Sequence, residues 1–213
     1  PLTPANMTSS PATTLEYRLE QSAQHLLSNT GALQALSQIG EVRIHGALQL
    51  RTMVWPEIDL YVGTAETPTM GDAAAVIENL RSCVAIRDVH IINQTSFPRR
   101  FAFPETILMD VVLVWETVEW KLDIAILPVK RLPEATAYNT KLLAVMTESH
   151  RQAIVNIKRQ AIQSPRYRRM NWTYVREGSY FFSADVYAAV INGKAKSYDD
   201  FCKLLKSARN ITP

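Results

Sequence analysis

Glu57 and Asp59 flank a single isoleucine in "PEIDLYV". In a β-strand that spacing turns both carboxylates to one side while Ile58 and Leu60 face the other. Two carboxylates held so close repel each other unless a cation or a proton lies between them. A hard divalent ion is the natural partner, magnesium above all, because it takes oxygen ligands and keeps waters and substrate phosphates around it. A third acid, Asp123, interrupts the apolar run "EWKLDIAIL". A carboxylate there is costly unless it lies at an edge or has a charged partner. Gly46 directly follows the strand-like "EVRIH". Glycine at that point lets the backbone turn closely around a polyphosphate, and the amides from Ala47 onward can bind its oxygens. The bland alternative is that Glu57 and Asp59 are the solvated start of a strand, and the third acid weighs against it.

Other groups invite a role and an ordinary explanation in equal measure. Arg99 and Arg100, set between aromatics in "SFPRRFAF", could reach a triphosphate or form an exposed pair on a loop. The segment 158–176 interleaves Lys158, Arg159, Arg166, Arg168, Arg169 and Arg176 with Tyr167, Trp172 and Tyr174. Such a stretch suits an RNA backbone with stacked bases, a triphosphate, or the anchoring of one lobe on another. Asp110 could support the acid cluster or cap a strand, and His45 reads best as making a local hydrogen bond. The four histidines form no zinc spacing with one another or with Cys83, and neither G-x-G-x-x-G nor a Walker lysine motif is present. The tryptophans and methionines read as core packing.

These residues need elements to position them. Residues 14–38 carry apolar positions at helical intervals, divided at Gly31, and "MGDAAAVIENLRS" repeats the pattern. "EVRIH", "IDLYVG", "AIRDVHII", "TILMDVVLVWE" and "VEWKLDIAILPV" read as strands, the last two as a hairpin joined near Glu116–Glu119. "ALQLRTMV" reads as an apolar turn or helix stopped by Trp55-Pro56. From about residue 134 the pattern turns helical: "TKLLAVMTESHRQAIVNIKRQAIQ" as one run, "SADVYAAVINGK" ending at Gly193, and "SYDDFCKLLKSA" opened by a Ser197–Asp200 capping box. The order of elements predicts an α/β (α+β) chain with a mixed sheet, flanking helices and a C-terminal helical lobe. The expected division is a flexible tail over 1–13, a sheet domain over 14–130 and a helical domain over 131–213.

Composition fits this picture. The 213 residues, 47% of them apolar, can bury a sizeable core. Residues 1–129 hold 8 Lys or Arg against 14 Asp or Glu, and residues 130–213 hold 15 against 6. An acidic half facing a basic half can set metal-binding carboxylates opposite a phosphate-attracting wall. No apolar run reaches bilayer length, Asp110 and Asp123 interrupt the two most hydrophobic stretches, and two distant cysteines make no disulfide framework. The expected setting is cytoplasmic, away from the membrane.

Taken together, "IHGALQL", "PEIDLYV" and "WKLDIAIL" resemble the nucleotidyltransferase superfamily, which includes DNA polymerase beta-like enzymes and the aminoglycoside and lincosamide nucleotidyltransferases. The resemblance covers residues 40–127. It implies that Gly46 and Ala47 form the nucleotide turn, that Glu57 and Asp59 bind magnesium, with manganese as a substitute, and that Asp123 is the third acid. It further implies transfer of a nucleoside monophosphate from an NTP to an acceptor, with pyrophosphate released. The acceptor stays open among a small molecule, a protein side chain and an RNA end. Two departures stand out: Ala47 where serine is common, and Glu57 where aspartate is usual. They keep alive the alternative of a catalytically silent domain that binds nucleotide or RNA.

Overall fold

A computed structural model of the chain describes residues 15–96, 104–167 and 180–213. Five strands form one mixed sheet: β1 (Glu41–His45), β2 (Glu57–Thr64), β3 (Ala85–Asn93), β4 (Ile107–Trp115) and β5 (Val118–Pro128). Their spatial order is β1-β2-β5-β4-β3. The β2–β5 pair is parallel, and β1–β2, β3–β4 and β4–β5 are antiparallel. The predicted hairpin is present: β4 and β5 are joined by Glu116 and Thr117, both with positive φ, the backbone that a two-residue hairpin turn demands.

Alternation along the strands gives the sheet two different faces. Ile58, Leu60, Val62, Met109, Val111, Leu122, Ile124 and Ile126 line one face and are buried against three helices. Those helices are α1 (Leu15–Asn29), α2 (Ala32–Ser37) and α4 (Met70–Arg81), and they contribute Ala23, Leu26, Leu36, Val76 and Leu80. The break between α1 and α2 falls at Gly31, whose φ is +83°, as its place in the sequence predicts. The other face carries the acids at one end and a small apolar group of Tyr61, Ile92, Leu108 and Ala125 beside them.

The short α3 (Gly46–Leu50) ends earlier than "ALQLRTMV" predicts. Arg51 turns left-handed with φ +57°, and the Thr52 amide closes the turn on the Ala47 carbonyl at 2.9 Å. The helical run 140–163 is likewise two elements, α5 (Leu132–Val145) and α6 (Glu148–Ala161). Thr147 breaks it: its hydroxyl accepts from the His150 amide at 3.2 Å while the His150 ring accepts from the Thr147 amide at 3.3 Å. A reciprocal cap of this kind starts a new helix at that point. Then follow α7 (Ser183–Ile191) and α8 (Tyr198–Arg209), the latter with the predicted Ser197–Asp200 box.

These C-terminal helices build a second core around Ile154, Ile157, Phe181, Val186 and Phe201. Leu50, Val54 and Trp55, which precede β2, pack into that second core. The segment leading into the acid pair is therefore held from both sides of the molecule. Among the described residues no helix is long and apolar enough to cross a membrane.

Candidate active site

Strand register brings the predicted acids together. Asp59 on β2 is the direct partner of Asp123 on β5, and Asp123 is the direct partner of Asp110 on β4. His45 on β1 stands opposite Asp59, and His90 on β3 stands opposite Asp110. Side chains of register partners project from the same face. One row across all five strands therefore reads His45, Asp59, Asp123, Asp110, His90. One step along, Glu57 is the partner of Lys121.

Lys121 is the group that the sequence reading did not single out. Its Nζ lies 2.9 Å from Glu57 Oε1, 2.7 Å from Asp123 Oδ1 and 3.7 Å from Asp110 Oδ1. It supplies the charged partner that a carboxylate inside an apolar strand requires. Its signal was in the sequence all along: Lys121 and Asp123 are two apart on one strand, the same spacing that paired Glu57 with Asp59.

Each acid has a different environment. Burial alone would raise the Glu57 carboxyl, but Lys121 and the hydrogen bonds from Trp55 and Lys121 hold it below the usual carboxylate range. The Trp55 indole donates to Glu57 Oε2, so this tryptophan is both core and site. Asp59 is pushed up to about 6, first by burial and then by Glu57. It accepts a hydrogen bond from the Ala47 amide and makes no ion pair among the described residues. Asp123 is raised well above the usual range by burial and by Glu57.

The glycine of the turn is required by Asp59 itself. Gly46 has φ +58°, and a Cβ placed on it would come within 1.8 Å of Asp59 Oδ2. The turn is fastened from α5: the buried Asn139 amide donates to the Gly46 carbonyl at 3.3 Å and to Gln49 Oε1 at 2.9 Å. Gly46 and Ala47 thus lie against Asp59, and in this conformation the Ala47 amide faces the carboxylate.

A second cation comes from the helical part. Lys158 on α6 is fully buried; it donates to the Thr52 carbonyl at 2.9 Å and its Nζ lies 4.6 Å from the Trp55 ring centroid. Burial lowers it to about 8, against the pull of Glu57 and Asp59. The rest of the described basic segment also works within the chain. Arg159 pairs with Glu16, Arg166 donates to the Thr212 carbonyl, and Tyr167 packs on Trp55 and Phe181. Residues 168–176 of that segment, and Arg99 and Arg100, lie outside the described residues. His45 departs from expectation: its Nδ1 has no hydrogen-bond partner among the described residues, and its ring packs 4.7 Å from that of Tyr61.

Beside this row is a cavity of about 100 Å³ lined by His45, Asp59, Tyr61, Asp123 and Ala125. The carboxylates around it, on neighbouring strands and more numerous than the ammonium groups near them, suit a hard cation, with the His45 imidazole as the one nitrogen donor in the lining. Among the described residues, however, no three His, Cys, Asp or Glu side chains are gathered tightly enough to form a finished cage. Trp55, Lys121 and the Ala47 amide hold the acids instead.

No known family's sequence profile matches the chain, and no curated protein sequence does. Solved structures do. A Cid1 poly(U) polymerase with MgGTP bound superposes with a TM-score of 0.52 at 16% identity, covering 82% of this chain and 49% of that one. A second Cid1 structure, described for its RNA terminal uridylyl transferase activity, gives 0.52 at 13% identity, covering 81% and 46%. The chain has the nucleotidyltransferase fold. The non-canonical poly(A) polymerase complex GLD-2–GLD-3 matches at 0.49 and 10% identity, over 82% of this chain and 52% of that one. The chain spans about half the length of these structures. At such identities the likeness to the two Cid1 structures shows the fold alone; this chain's own strand register sets Asp59 against Asp123, and its Gly46 turn lies against Asp59.

Proposed function

We propose that this protein transfers a nucleoside monophosphate from an NTP to a hydroxyl acceptor in the cytoplasm, releasing pyrophosphate. The observation that supports the reading most is the row Asp59, Asp123 and Asp110 on adjacent strands, with the Gly46 turn packed on Asp59. In this reading residues 14–130 carry the site and 131–213 form the helical lobe behind it.

Glu57, Asp59 and Asp123 would hold magnesium or manganese. When bound, the ion neutralises the triphosphate and lowers the charge cost at the transferring phosphorus. The chain's own groups do the rest. Gly46, with no Cβ to displace Asp59, lets the turn pack directly on the acid that would face the triphosphate. Asp123, raised by burial, accepts the proton of the attacking hydroxyl as the new oxygen–Pα bond forms and the bond from Pα to the pyrophosphate oxygen breaks. Tyr61 and Ala125 give the cavity beside Asp59 and Asp123 an apolar wall that keeps bulk water from competing as acceptor. Arg99 and Arg100 are assigned to the phosphates. The fold neighbours named for RNA uridylyl transfer make an RNA 3′ end the first acceptor to try, ahead of a small-molecule or protein hydroxyl.

A second reading has its own support. Lys121 and Trp55 already satisfy Glu57, which favours a silent nucleotide-binding domain. Thermal stability with each NTP, with and without magnesium or manganese, tests both readings. Ligand that binds only the folded state raises the melting temperature by mass action. A metal-dependent rise that Asp59→Asn abolishes, with pyrophosphate released on adding acceptor, is the expected result. A rise without release points to the silent domain, and no rise with any pair overturns nucleotide binding.

A further inference from the structure

The acid cluster contains a cation of its own. Lys121, Glu57, Asp123 and Asp110 have side chains 24%, 10%, 9% and 12% exposed respectively, so their encounter is largely out of water. Three carboxylates from three neighbouring strands meet one ammonium. That is more than the single counter-ion a structural lysine needs, and it is the arrangement in which a bridging cation would be found. Lys121 reaches it because β2 and β5 run parallel in register, placing Lys121 opposite Glu57 and Asp123 opposite Asp59.

Asp59 is left out of this arrangement and makes no ion pair among the described residues. It lines, with Asp123, the cavity of about 100 Å³. A water occupies roughly 30 Å³ of liquid volume, so that space suits an ion with a few waters.

We propose that Lys121 is a resident cation standing where a second metal ion would otherwise sit, so that Glu57 is held by the ammonium in place of a metal and the site takes a single divalent ion, at Asp59 and Asp123. This rests on the nucleotidyl-transfer reading above. A tethered ammonium cannot leave with pyrophosphate, and it keeps Glu57 and Asp123 at a fixed separation whether or not nucleotide is present. Lys121 therefore acts as a positioning residue.

The test counts ions on the full chain without nucleotide, by the electron paramagnetic resonance of free manganese and by calorimetry. The wild type is expected to bind one ion, Lys121→Arg one, and Lys121→Met two. Lys121→Gln serves as a second neutral variant, and far-UV circular dichroism checks that both fold. Two ions on the wild type, one ion on both neutral variants, or two on Lys121→Arg would each overturn the resident cation while leaving nucleotidyl transfer standing. No ion on any form would overturn the single-ion site, and nucleotidyl transfer would still be decided by the melting-temperature rise with metal and NTP together. No ion on the wild type with binding restored in a neutral variant would overturn the single-ion site and make Lys121 a block. A measurement on the wild type needs no neutral variant to fold: the Lys121 Nζ resonance, assigned by its loss in Lys121→Arg, should stay in slow exchange with solvent when magnesium saturates the site. Its release into fast exchange would show the ammonium expelled and the proposal wrong.

Discussion

Asp59 holds its proton more tightly than an ordinary aspartate, so its chemistry should depend on pH in a defined window. Burial, and then the neighbouring Glu57 carboxylate, push its carboxyl up to about 6 from the ordinary aspartate value of 3.8. Because the folded value is the higher one, folding takes up a proton. The associated stability is complete below about 3.8 and is lost as pH rises through about 6. A metal ion competes with that proton, so apparent magnesium affinity should fall as pH drops below about 6. Calorimetric titration between pH 5 and 8 would check this, and an affinity flat across that range would count against Asp59 as a ligand. Gly46→Ala should damage the site more than the fold. The new methyl would meet Asp59 Oδ2 at 1.8 Å in a backbone region that costs an L-residue about 1–2 kcal/mol. The expected readout is a loss of metal-dependent nucleotide stabilisation that exceeds the fall in melting temperature.

At the scale of elements, the β4–β5 hairpin and the α5–α6 break each rest on a local device. Glu116 and Thr117 have φ of 47° and 65°, in a turn that favours Asn-Gly. Replacing Thr117 with glycine should stabilise the chain by about 1 kcal/mol, since the β-branched side chain leaves an unfavourable region. Denaturant melts would read that gain, and a loss would mean the threonine makes a contact that offsets the strain. Thr147→Ala should cost about 1 kcal/mol through the lost cap on α6. The hairpin matters to function because it fixes the β4–β5 register, and with it the meeting of Asp110 and Asp123.

On the scale of the whole molecule, Lys158 ties the helical core to the acid pair. It reaches from α6 to the Thr52 carbonyl and the face of Trp55, and Trp55 in turn donates to Glu57. The acidic and basic halves of the chain therefore meet inside the protein as well as on its surface. Burial lowers Lys158 from 10.5 to about 8. A depressed lysine releases its proton on folding, so the cost of holding it charged is full below about 8 and is relieved as pH rises towards 10.5. Lys158→Met should remove that rise in stability from a melt series at pH 8–10. It should also weaken metal-dependent nucleotide binding, because the Trp55 support of Glu57 is disturbed. A variant with an unchanged pH profile would show that Lys158 holds its proton equally well folded and unfolded, and is not depressed by burial.

Period and local chemistry alone determined the five strands, the helix break at Gly31, the capping box of α8 and the acids that share a face. Each follows from side-chain alternation or from a cap a few residues long. The early end of α3 and the division at Thr147 were less legible, because a short helix is decided by single backbone turns and not by an apolar stripe. Lys121 had the right spacing but no reason to be chosen until a partner strand was known. Only the tertiary structure decided that β2 and β5 pair in parallel with Asp59 opposite Asp123. Only it decided that Lys121 falls between Glu57 and Asp123, and that Lys158, about a hundred positions away, lies beneath Trp55. Pairing and register depend on which distant surfaces bury each other, and no period within one segment carries that information.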